Sequence, residues 1–140
     1  MNPPADLHAE VLTHPALSSV AALPGVVRAV LTSTDGLVYG QAAGGASSEA
    51  LSADLLSAEI TTVTLALGRT LNGLSGGLSS QKLHRFSFAS EQHEFLVLNL
   101  GRVLLLVAVQ TGAALRPVQV EMARVATAMS TELTNLEGAA

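Results

Sequence analysis

Few residues in this chain are spaced for chemistry. His93-Glu94 opens like the helical His-Glu-x-x-His motif of a zinc protease, but Val97 stands where the second imidazole must be. His8, His14 and His84 do not cluster with it, so the four imidazoles read as surface or edge residues and not as metal ligands. The absence of cysteine removes disulfides, thiolate metal sites and thiol nucleophiles. Gly44-Gly45-Ala46-Ser47-Ser48 precedes a helix and could cradle an anion, but it lacks the lysine and the spacing of a P-loop. It reads as a flexible loop in which Ser47 or Ser48 caps the helix. Gly73-Leu74-Ser75-Gly76-Gly77 follows a helix, the wrong order for a dinucleotide-binding turn, and reads as a loop. Asp54 and Glu59 share a helix but not a face, so they do not form a carboxylate pair. Arg69 could reach a partner's phosphate as a trans-acting finger; it reads instead as a solvated or interface ion-pairing residue. No catalytic residue, cofactor site or metal site is assigned, and the chain is expected not to be an enzyme.

Composition narrows the classes further. The 140 residues suit one domain, long enough to bury a core without staples. The net charge is −4, and the seven basic residues are scattered, which argues against nucleic-acid binding. The start, Met-Asn-Pro-Pro-Ala-Asp, has no basic and apolar signal pattern. The long middle helix carries Asp54, Glu59 and Arg69, and the Phe95–Val109 run is broken by Asn99, Gly101 and Arg102. Neither suits a span of about 20 apolar residues, so no direct membrane insertion and a cytoplasmic location are expected.

The elements that must position anything follow in order. Residues 1–14 stand apart as an N-terminal extension, with Leu7, Val11 and Leu12 at helical spacing after Pro3-Pro4. A helix from Pro15 carries Leu17, Val20 and Leu23 to a stop at Pro24-Gly25. Val26–Ser33 and Leu37–Gln41 flank Thr34-Asp35-Gly36, a strong hairpin signal, and Ala42–Ser47 follows as a loop of small residues. A helix over 48–74 ends at Asn72-Gly73 or Gly76-Gly77. Lys82–Ala89, Glu94–Leu100 and Val103–Gln110 read as three strands, the last apolar on both faces and so central. Pro117 fits the first turn of a final helix whose stripe is Val118, Met122, Val125, Met129, Leu133 and Leu136.

The helix over 48–74 is unlike the last one because it has two apolar faces. Leu56, Ile60, Val63, Leu67, Leu71 and Leu74 form one stripe. Leu51, Leu55, Ala58, Thr62, Leu65 and Ala66 lie roughly opposite. A surface helix needs one stripe only. The bulkier Leu56–Leu71 stripe is assigned to the core, and the other is expected to be covered by a second copy of the chain.

Leu23-Pro-Gly-Val-Val-Arg-Ala-Val-Leu-Thr-Ser-Thr-Asp-Gly-Leu-Val-Tyr-Gly40 resembles the opening of a roadblock/LC7 domain. The resemblance continues through Ala-Leu-Gly-Arg-Thr-Leu at 66–71 and Ala-Leu-Arg-Pro-Val-Gln-Val-Glu-Met-Ala-Arg-Val-Ala at 114–126, where Pro117 departs from the usual pattern. It implies an α/β chain of the α+β type, α-β-β-α-β-β-β-α, with a five-stranded antiparallel sheet and helices on both faces, profilin-like, over residues 15–137. It implies dimerisation through a middle-helix face of Leu51, Leu55, Ala58, Thr62, Leu65 and Arg69 and through an edge strand bearing Leu83, Arg85 and Ser87. The partners it implies are a second copy and a small Ras-like GTPase, whose hydrolysis some prokaryotic members stimulate. The competing expectations are a dimeric structural subunit and a small-ligand sensor in which Phe86, Phe88 and Tyr39 line a pocket.

Overall fold

The computed structural model describes residues 15–46, 51–74 and 83–139, with the side chains of residues 15 and 130–139 outside the description. The expectations for residues 1–14, for Ser47 and Ser48, for Gly76-Gly77 and for the side chains of Leu133 and Leu136 lie outside the described residues. The elements are α1 (Pro15–Ala21), β1 (Val26–Ser33), β2 (Val38–Ala43), α2 (Ala53–Leu74), β3 (Arg85–Ala89), β4 (His93–Asn99), β5 (Val103–Gln110) and α3 (Leu115–Ala139). All five strands form one antiparallel sheet in the order β2-β1-β5-β4-β3.

Strand β5 lies in the middle because Val-Leu-Leu-Leu-Val-Ala-Val has no polar face to offer water, and Val103–Val109 is buried throughout. The two faces hold separate clusters. On one, Leu17 and Val20 of α1 and Val118, Met122, Val125 and Met129 of α3 pack on Ala29, Leu105 and Val107. On the other, Ala53, Leu56 and Ile60 of α2 pack on Val30, Val97, Leu104 and Leu106. Helix α3 is tied to α1 at its rim: Arg124 donates to Glu121 and, through Nη2, to Ser19 Oγ at 3.2 Å. The guanidinium's hydrogen bond holds the Glu121 carboxyl below its ordinary range. Such a group adds its small surface contribution above the ordinary carboxylate range and loses it as the pH falls through the lowered value.

The β1–β2 hairpin is closed by side chains as well as backbone. Ser33 Oγ accepts from the N–H groups of Asp35 and Leu37, and Gly36 takes a positive φ of 89°. Strand β2 runs through Ala42 and Ala43, which the sequence placed in a loop. Low strand propensity is overridden there by the ladder, in which Ala42 pairs with Ala29 and Ala43 with Arg28. Two irregularities mark β1. Its pairing with β5 shifts between Val26 and Arg28, and its pairing with β2 shifts between Leu31 and Thr32, leaving Tyr39 unpaired.

Candidate functional site

The outer face of α2 is the feature that needs explaining. The stripe assigned to the core divides along its length: Leu56 and Ile60 are buried, Val63, Leu67 and Leu71 half-buried, and Leu74 is 81% exposed. Leu74, the last residue of the helix, lies outside the Leu56–Leu71 span assigned to the core. Of the opposite stripe, Leu51 is half-buried, packing beside the α2-side cluster. Leu55 and Leu65 are 47% and 55% exposed, and Ala58, Thr62 and Arg69 are exposed with them. No side chain of this chain, among the described residues, closes over that stripe.

Two contacts fix where the stripe begins. Helix α2 starts at Ala53, five residues later than expected, and Ser52 Oγ accepts the Leu55 N–H at 3.2 Å as the N-cap. Ser52→Ala therefore costs about 1 kcal/mol of unfolding free energy, measurable by urea denaturation. Arg28 then reaches across from β1: Nε donates to the Leu51 carbonyl at 2.8 Å and Nη1 to Gln41 Oε1 at 2.8 Å. The arginine ties the approach to α2 to the β2 edge. It was missed from sequence, although a lone cation inside an apolar strand is a signal for such a tether. At the other end, Asn72 and Gly73 lie inside the last turn and do not terminate the helix.

The second expected surface is the β3 edge. The strand begins at Arg85, so Leu83 precedes it, a correction to the expected Lys82 start. Arg85 and Ser87 are exposed, paired with Leu98 and Leu96. Asn99 holds the start of the strand, donating from Nδ2 to the Leu83 carbonyl at 2.8 Å and from its backbone to the His84 carbonyl at 2.7 Å. Phe86 and Phe88 stack with ring centroids 6.3 Å apart, and Phe88 stacks on Phe95 at 4.9 Å while staying 40% exposed.

The aromatic pocket does not form. Tyr39 lies on β2 and the two phenylalanines on β3, at opposite edges of the sheet. A depression of about 470 Å³ beside β3 is lined by Phe86, Arg85, Ser87, Met122 and Gln119, without Tyr39 or Phe88. His84 adjoins Asn99 at the end of β4 while His93 begins that strand, and no group of three or more His, Asp or Glu gathers among the described residues. Gly73-Leu74-Ser75-Gly76-Gly77 also has Gly-x-Ser-x-Gly spacing. A nucleophile elbow needs a strand leading into the serine, whereas α2 leads into this one. No helix among the described residues is long and apolar enough to cross a membrane.

No family model and no curated protein matches the chain. Solved structures do. A roadblock/LC7 domain from Streptomyces avermitilis superposes with a TM-score of 0.70 at 22% identity, covering 85% of this chain and 95% of that one. The gliding protein MglB from Thermus thermophilus gives 0.70 at 18% identity, covering 83% and 84%. An MglB with a tetrameric arrangement gives 0.71 at 20% identity, covering 83% of each chain. Element order, sheet order and these superpositions agree: the chain has the roadblock/LC7 fold.

Proposed function

We propose that this chain is a non-enzymatic, cytoplasmic regulator that forms a homodimer and, as a dimer, binds a small Ras-like GTPase. The domain is residues 15–137. The observation that carries the reading is the uncovered second stripe of α2 in a chain of roadblock fold. Exposed leucines at 47% and 55% on one helix face cost solubility unless a partner covers them. The β3 edge adds unpaired backbone groups on a regular strand, which suits strand-to-strand extension of the sheet. The tetrameric MglB supports self-association in this fold. The GTPase supplies its own catalytic groups and the dimer reshapes it, stimulating hydrolysis, which suits a chain to which no chemistry of its own is assigned.

The test is capture of partners on the tagged protein from its native lysate, with GDP and with a non-hydrolysable GTP analogue. A small GTPase enriched with the analogue supports the reading. Hydrolysis assays with an Arg69→Ala control then show whether Arg69 contributes directly. No GTPase under either nucleotide overturns the GTPase part and leaves a dimeric structural subunit.

A further inference from the structure

Strand β2 forms the other margin of the sheet, with no strand beyond it among the described residues. Its last four residues, Gly40, Gln41, Ala42 and Ala43, keep step with β1 and include no charge and no proline, the usual guards of a free edge. The phase of the ladder fixes which backbone groups look outward. Gly44 donates to the Val27 carbonyl at 2.9 Å, and antiparallel bonding recurs at every second residue, so Gly40 and Ala42 bond to β1. The N–H and C=O groups of Gln41 and Ala43 therefore point away from the sheet. Beside this margin is a hollow of about 540 Å³, lined in part by Ser18, Ala22, Pro24, Ala42, Ala43 and Gly45. It lies on the α1 face, where the Ala42 side chain packs against the α1-side cluster. Among the described residues no charged side chain lines it, and most of its walls are alanine and glycine.

We propose that this margin binds a short extended peptide of a partner protein, added antiparallel to Gly40–Ala43 with a bulky apolar side chain seated in the hollow. Peptide residues opposite Gln41 and Ala43 exchange main-chain hydrogen bonds with them. The residue between, opposite Ala42, places its side chain on the face of Ala42 and so over the hollow. Main-chain bonds supply affinity that any sequence can use, and the hollow supplies the choice among sequences. A bulky apolar group suits it because the short side chains of the wall leave it unfilled and offer no charge to an ionic one. The β2 strand of a second copy does not suit it, since its regular run offers only Gly40, Gln41, Ala42 and Ala43 to the space. The loss of step at Tyr39 ends that run after four residues, a length that matches a short peptide. The site lies at the opposite margin from β3 and does not depend on the self-association reading.

The probe is the synthetic peptide acetyl-Thr-Val-Phe-Val-Thr-amide, titrated into the isotope-labelled full chain and followed through the backbone amide resonances. Saturable binding is expected, with the largest shifts at the Gln41 and Ala43 amides. Alanine in place of the central phenylalanine weakens binding about tenfold, from the lost apolar burial. Ala43→Pro removes one outward N–H and no bond to β1, and proline is tolerated at such an edge position. Ala22→Leu, at an exposed turn residue, extends a side chain into the hollow. Each variant weakens binding of the phenylalanine peptide about tenfold while its thermal unfolding stays cooperative. The two act on different groups, so either one alone tests the site. Absence of saturable binding overturns the proposal. Shifts centred on β3, equal affinity for the two peptides, or unchanged affinity of a folded variant overturn it as well.

Discussion

Leu55→Glu together with Leu65→Glu yields a folded monomer. Each leucine is about half exposed on the single chain, so covering it by a second copy removes about half of a full burial, roughly 1 kcal/mol per side chain. Four such side chains per dimer sum to about 4 kcal/mol, which raises the dissociation constant by about a thousandfold. Carboxylates in a desolvated seam add to the effect. The fold itself should lose little, because neither side chain is part of the α2-side cluster. Sedimentation velocity with thermal unfolding separates the two quantities. A double variant that stays dimeric removes α2 from the interface.

Gly44→Ala produces the largest loss of stability expected from a single methyl group. A Cβ at Gly44 would run into the Val26 carbonyl oxygen and lie 2.6 Å from its carbon, both backbone atoms in a paired strand. Gly44 also donates its N–H to the Val27 carbonyl at 2.9 Å, so it cannot swing away without giving up the end of the ladder. The expected cost is about 3 kcal/mol or more, a fall in Tm of roughly 10 °C. Gly45 is the control, since a Cβ there meets nothing within 4 Å and Gly45→Ala should be close to neutral. Equal stability of the two variants, measured by chemical denaturation, would disprove the close approach. The glycines ahead of α2 thus have a steric reason at one position and need no bound anion.

What sequence could reveal depended on whether the deciding contact was local. Val26–Ser33 and Val103–Gln110 were readable to the residue, because apolar β-branched runs between turn signals state their own limits. The two stripes of α2 were readable from period alone. The start of α2 was not: Leu51 continues the stripe in sequence, yet Ser52 caps the helix and Arg28, distant in the chain, holds the Leu51 carbonyl. Strand β2 was read short because alanines carry no strand signal and gain their geometry from β1. The supposed aromatic pocket failed for a topological reason. Periodicity gives strands but not their order, and only the order places Tyr39 and Phe88 at opposite ends of the sheet.

The bulge at Tyr39 also bears on how far assembly can go. A sheet with two regular edges can recruit a neighbour on each side and polymerise without limit. In this chain β3 keeps five consecutive pairs with β4 and presents a regular margin. At the far margin β2 keeps four consecutive pairs with β1, from Gly40 to Ala43, and loses step at Tyr39, which bends the strand and shortens the regular run that another strand could match. The β3 margin therefore offers the longer regular run of the two. If two copies join through β3, as proposed, a two-fold pairing uses that margin on both copies at once, and growth along the sheet would then need the interrupted β2 margin.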